Sequence, residues 1–177
     1  MESAGGYNSM SATNRGSLRV ANDFYPTPVE CVEALLLQLN LRDDLSYLEP
    51  CRGSAEGSIY SRLPKGTLWA ELSEGVDYCT VNRYEADVCI TNPPFSRALT
   101  FLQKSLKECG TVVYLLRLNF LGSQSRKAFW EQNPPSHLYV LSKRPSFTGR
   151  GTDATEYAWF VWDRKGICKK PPGIYVL

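Results

Sequence analysis

The 177-residue chain carries a single histidine, and its six cysteines (31, 51, 79, 89, 109 and 168) form no C-x-x-C and no Cys/His cluster. A zinc site is therefore not expected, and the thiols are expected to be reduced rather than paired. No stretch approaches ~18 consecutive apolar residues, which excludes a helix crossing a membrane. Residues 1–20 are rich in Ser, Gly and Asn and lack the apolar core of a secretory signal, so residues 1–21 are expected to be a mobile tail and cytoplasm the compartment. Neither an internal repeat nor, after the tail, a low-complexity segment is present. What is there is a 43% apolar, 12% aromatic composition. That suffices for a sizeable core and excludes disorder of the whole chain, and the length fits one domain over 22–177.

Net charge is only +2, but it is segregated. Residues 1–96 hold seven Lys/Arg against thirteen Asp/Glu, whereas residues 97–177 hold thirteen against five. A basic C-terminal half is what a phosphate backbone attracts, although a solvated surface segregated by chance is also compatible.

Thr27-Pro28-Val29-Glu30 has the form of a helix start, with Thr27 as N-cap, Pro28 at the first helical position and Glu30 completing a capping box. Val29, Val32, Leu36 and Leu39 at helical spacing carry that helix to about Asn40. Strands are expected at 45–49, 67–71, 86–91 and 112–116, and a glycine-bearing turn at 53–57 leads into a helix through about Arg62. Ser96 caps a helix closed by Gly110, a further helix spans roughly 123–132, and strands near 137–141 and 156–162 follow. Alternating strands and helices with near-continuous apolar strands imply an α/β fold. Its twisted sheet is mostly parallel with helices on both faces, and the last two strands form an antiparallel hairpin at one edge. Ligands of such sheets bind at the carboxyl ends of the strands. Glu49, Glu71 and Asn92 each end a different strand there.

Asn92-Pro93-Pro94-Phe95 follows an apolar strand. On this tetrad the chain resembles the S-adenosylmethionine-dependent amino methyltransferases, in particular the DNA adenine N6-methyltransferases, including small phage-type ones. The likeness covers roughly 22–163 and implies a Rossmann-like methyltransferase fold. The chemistry suits the residue types. Adenine's amino lone pair is delocalised into its ring, and acceptance of its two N–H bonds by the Asn92 side-chain oxygen and the Pro93 carbonyl favours a pyramidal nitrogen. Pro93 and Pro94 stiffen the loop. Phe95 offers an aromatic face to a base rotated out of its stack. Asn133-Pro134-Pro135-Ser136 is a built-in control: it follows a helix, lacks the aromatic, and is read as a breaker.

The same resemblance assigns a cofactor half. Glu49-Pro50-Cys51-Arg52-Gly53-Ser54-Ala55 matches the family's Asp/Glu-Pro-x-x-Gly-x-Gly loop beside the methionine part of the cofactor, except that Ala55 replaces the second glycine and Gly57 follows. Glu71 matches the acid that accepts from the ribose hydroxyls. Leu72 would pack on the cofactor's adenine, and Asp77 would accept from its amino group. Asp23-Phe24-Tyr25-Pro26-Thr27-Pro28 resembles the segment closing over the carboxylate end, with Tyr25, Thr27 and Pro28 as contacts and the helix start as an anion site.

The basic half is expected to face nucleic acid, DNA first, through Arg117, Asn119, Arg126, Lys127, Arg144 and Arg150. Phe147 stands where relatives carry an aromatic that packs on the target base. Such phosphate contacts give affinity more than specificity. His137 is expected to be structural. Only 117–135 and 143–155 are available for recognition, so a short or relaxed target, a homodimer or a second recognition subunit is expected. Three other readings remain open: an RNA adenine methyltransferase, a protein glutamine methyltransferase, which the basic half disfavours, and a non-catalytic nucleic-acid-binding subunit of the same fold.

Overall fold

The computed structural model describes residues 25–147 and 151–177. The tail expected over 1–21 lies outside them. The elements run α1 (Val29–Leu36), β1 (Tyr47–Glu49), β2 (Leu68–Trp69), β3 (Ala86–Thr91), α2 (Ala98–Glu108), β4 (Cys109–Arg117), α3 (Lys127–Gln132), β5 (His137–Val140), β6 (Tyr157–Asp163) and β7 (Gly173–Val176). They build one seven-stranded sheet in the order β2-β1-β3-β4-β6-β5-β7. β2, β1, β3 and β4 pair in parallel. β6 runs antiparallel to both β4 and β5, and β7 pairs in parallel with β5. The α/β sheet and its antiparallel pair are as expected, but β7, added outside β5, is not among the strands expected from the sequence.

The central strands alternate between two cores, because successive side chains point to opposite faces. Val88, Ile90, Val113, Leu115, Trp159 and Val161 face α1, whose Val32 and Leu35 are buried against them. Cys89, Val112, Tyr114, Phe160 and Trp162 face α2, which contributes Phe101, Leu102 and Leu106. Trp159 Nε1 donates to the Cys31 carbonyl at 3.0 Å and ties α1 to β6.

Four local expectations are corrected. α1 stops at Leu36, because the chain beyond it is drawn to the C-terminal segment: Leu39 bridges Cys168, and Asn40 N donates to Ile167 O at 2.7 Å. Thr27 is not the cap; Pro28 is the N-cap residue and makes no side-chain cap bond. The helix expected through Arg62 is one 3-10 turn, Tyr60–Arg62, with Pro64 close behind. Gly110 does not close α2 but lies within β4, where a Cβ would stand 2.5 Å from the Lys165 side chain that pairs with Asp87.

Candidate active site

A cleft of about 1170 Å³ opens at the carboxyl ends of β1, β2 and β3. Tyr25, Thr27, Glu49, Pro50, Gly53, Glu71, Leu72, Asp77, Asn92 and Pro94 all line it, so positions spread over 70 residues of sequence share one wall. Pro28, Ala55, Pro93 and Phe95 do not line it. Ala55 is exposed. The glycine the loop needs stands two residues on: a Cβ on Gly57 would meet Arg52 O at 2.3 Å. Gly53 supplies the left-handed turn, with φ at 71°. The tight position of this loop is therefore residue 57, not 55.

The loop is fastened to the turn after β2. Glu71 Oε2 accepts from Gly53 N at 2.9 Å, and its Oε1 accepts from Ser73 N and Oγ at 3.0 and 2.7 Å. A carboxylate has about four lone-pair sites, so capacity for a ligand hydroxyl remains. Arg52, to which the loop motif alone gives no role, lies 3.5 Å from the Trp69 ring centroid and donates to both Glu74 oxygens at 2.8 and 2.6 Å. Leu72 is 49% exposed and offers the cleft an apolar surface. Asp77 accepts from Cys79 N at 2.9 Å and pairs with Arg97 at 3.4 Å.

Among the described residues, two acceptors at the cleft are buried and unpartnered: Glu49 Oε2 and Asn92 Oδ1. Glu49 is 1% exposed. Its other oxygen accepts from the Thr91 hydroxyl. Burial pushes the Glu49 carboxyl up to about 8, against the bonds from Thr91 and the Cys51 backbone, with Glu71 adding to the rise. The orientation of the Asn92 amide is set by its neighbours. Its Nδ2 donates to Tyr25 O at 3.2 Å and to Thr27 Oγ1 at 3.1 Å. A backbone carbonyl can only accept, so the amide nitrogen must face Tyr25 and the oxygen is turned away from it. Thr27, expected to cap α1, instead holds this asparagine.

Next to the cleft stands an aromatic group. Phe95 has ring neighbours Tyr25 at 5.9 Å, Tyr157 at 5.9 Å and Phe147 at 6.4 Å. The Arg117 guanidinium lies over Phe95, 4.5 Å from its centroid. Arg117 Nε donates to Tyr157 Oη at 2.9 Å, and its Nη2 pairs with Asp153 at 3.5 Å. Asp153 and Tyr157 went unnoticed in the sequence, since their role depends on β4 and β6 being neighbours.

The other basic candidates among the described residues each have their own contacts. Arg126 is occupied within its own segment, donating to Phe120 O at 2.8 Å and lying over the Phe120 ring at 4.3 Å. Asn119 is exposed, as are Lys127, paired with Glu131 at 3.6 Å, and Arg144, which reaches Ala154 O at 3.5 Å. Arg150 and Asp23-Phe24 lie outside the described residues. His137 is buried at the opposite end of the sheet from the cleft. There Nε2 donates to Lys170 O at 3.0 Å and Nδ1 meets Ser136 Oγ at 2.9 Å. With Asp163 and Cys168 it forms a group whose ligand atoms lie within 4.8 Å. Asp163 already accepts from the Ile167 and Cys168 amides, so these atoms serve the turn before β7.

No protein-family model and no curated protein matches this sequence. Solved structures do resemble it in shape. A protein from Pyrococcus horikoshii, provisionally described as an RNA methyltransferase, superposes with a TM-score of 0.60 at 15% identity, over 88% of this chain and 93% of that one. A protein from Listeria monocytogenes, provisionally described as a class I S-adenosylmethionine-dependent methyltransferase, gives 0.53 at 12% identity over 92% and 67%. A dimethyladenosine transferase from Plasmodium falciparum gives 0.52 at 11% identity over 80% and 64%. At these identities the likeness establishes the fold, which is Rossmann-like and of the class I methyltransferase type.

Proposed function

We propose that the protein transfers a methyl group from S-adenosylmethionine to the N6 amino group of adenine in DNA. The observation that carries this reading is Asn92: its nitrogen is fixed by Tyr25 and Thr27 while its oxygen is buried, unpartnered and at the cleft. An acceptor kept free in this way is suited to an amino N–H. It withdraws the nitrogen's lone pair from ring conjugation and orients it for attack.

The cleft fits the cofactor on its own observations. Glu49, once ionised, offers its unpaired Oε2 to a cationic amino group, Glu71 retains lone pairs for ribose hydroxyls, and exposed Leu72 offers a surface to a purine. Bound S-adenosylmethionine supplies a methyl group already activated as a sulfonium, so positioning supplies much of the catalysis. Asn92 orients the nucleophile, Pro93 and Pro94 keep the loop stiff, and Phe95 offers its ring to the base. The basic C-terminal half favours a polyanionic substrate, with Arg117 over the Phe95 ring.

A second reading is favoured by the Pyrococcus neighbour, whose description names RNA: adenine in RNA would meet the same asparagine. The test supplies isotope-labelled S-adenosylmethionine to duplex DNA, single-stranded DNA, RNA and a protein extract, followed by digestion and mass spectrometry. Label in N6-methyladenine from DNA is expected. Label in RNA or in glutamine instead overturns the substrate, and no label with no cofactor binding overturns the activity.

A further inference from the structure

The face of Phe95 on which a target base would stack is not vacant. The Arg117 guanidinium covers it at 4.5 Å, and Tyr25, Tyr157 and Phe147 surround the ring at 5.9, 5.9 and 6.4 Å. A flat base can stack on the face under the guanidinium only if Arg117 moves. Tyr157 is fully buried in the sheet. Arg117 is different: its side chain is 37% exposed, and it leaves β4 on the edge where Asn92 leaves neighbouring β3. Its guanidinium is planar and stacks on aromatic faces, so it fills the kind of slot a base would fill. It is also the partner of Phe95 that a phosphate backbone attracts.

The guanidinium is held by balanced contacts. Burial works against its charge, but the Tyr157 hydroxyl and the Asp153 carboxylate outweigh that and keep it protonated. Asp153 is itself held by the Tyr157 hydroxyl at 2.9 Å and by Thr155 N at 3.1 Å. Asp153 is thus a fixed anion with Arg117 as its movable partner, 3.5 Å away.

We infer that Arg117 is a positioning residue that occupies the base seat on Phe95 in the free protein and yields it when a nucleic-acid phosphate draws the guanidinium from Asp153. The seat then opens in answer to a polyanion, and a neutral purine of the same shape does not open it. This rests on the proposed nucleic-acid substrate, and it adds that selectivity for a phosphate-bearing acceptor arises at the seat itself. Tyr157, the aromatic group and Asp153 keep the guanidinium in place until that moment.

The test uses the full chain and a fluorescein-labelled single-stranded oligonucleotide, with affinity read by anisotropy across a salt series. Arg117→Gln should weaken binding several-fold and reduce the salt slope by about one, the signature of one lost phosphate contact. Asp153→Asn should do the opposite, tightening binding, because the guanidinium loses its resident anion. A methylphosphonate oligonucleotide of the same sequence, with a neutral backbone, should bind Arg117→Gln more tightly than it binds the unaltered protein. Both substitutions weakening binding together would show a merely structural ion pair and overturn the inference, as would no change in either. Thermal melting of each variant reports folding separately. Methyl transfer by the unaltered protein is scored apart: binding that follows the opposed pattern without label in DNA would overturn the proposed reaction and leave the seat standing.

Discussion

The two halves of the cleft are built in opposite ways. On the Glu49–Asp77 side the loop is fastened, through Gly53 N to Glu71 and Arg52 to Glu74, while Glu49 Oε2 is left without a partner and the Leu72 side chain is exposed. On the Phe95 side the rings are already filled by Tyr25, Phe147, Tyr157 and Arg117. The first half is ready for a ligand and the second must rearrange for one. Asn92 stands between them, its nitrogen spent on the N-terminal segment and its oxygen free. A cofactor can enter a site of this kind before a base does.

Filling the fastened side should be the change most disruptive to cofactor binding. Gly57→Ala drives a Cβ towards a backbone oxygen 2.3 Å away, where no flexible side chain can give. Overpacking of this kind costs about 1–3 kcal/mol. The loop should shift, with cofactor affinity in calorimetry falling tenfold or more, while Ala55→Gly, at an exposed position, leaves it nearly unchanged. Equal effects at 55 and 57 would break the contrast.

A pH series sharpens it next. The Glu49 carboxyl is raised from 4.5 to about 8 by burial, so the folded protein holds a proton there that the unfolded chain has released. Stability of the free protein is therefore full below about 4.5, declines as pH rises towards about 8, and levels off above it. Affinity for the cationic cofactor should run the other way, rising with pH by up to about tenfold per unit until the carboxyl is ionised. Calorimetry and thermal melts of Glu49→Gln should show both slopes removed. A cofactor affinity in the unaltered protein that is flat from pH 5 to 8 would show that Glu49 does not meet the ligand's charge.

The smallest effect is expected at the far rim. Lys127 pairs with Glu131 at 3.6 Å with both side chains largely exposed, and such pairs contribute roughly 0–1 kcal/mol. Lys127→Ala should leave the melting temperature within about 2 °C. Oligonucleotide affinity should fall by less than Arg117→Gln lowers it, and a larger fall would move the nucleic-acid surface from Phe95 to α3.

Much of this was legible because it is local. β3 follows its apolar run residue for residue, and the strand ends bring Glu49, Glu71 and Asn92 to one edge, as parallel alternation requires. Hidden features depend on contacts distant in sequence. Thr27 has the chemistry of a helix cap, yet Asn92, 65 residues on, claims its hydroxyl. β7 is a four-residue strand with Ile174 and Val176 exposed, following Pro171-Pro172, and its pairing with β5 gives no local signal. Arg117 could be read as a phosphate contact, but not as the cover of Phe95, because that requires β4 and β6 side by side with Asp153 at their end.

The most direct test of the central claim, that Asn92 presents a free oxygen to the amino group being methylated, is single-turnover methyl transfer to DNA by Asn92→Ala beside calorimetry of its cofactor binding. Loss of a preorganised hydrogen-bonding group of this kind lowers the chemical rate by about 10²–10³-fold. The account predicts a fall of that order, with cofactor affinity changed by no more than a few-fold. Transfer at the unaltered rate would contradict it, as would a loss of activity explained wholly by loss of cofactor binding.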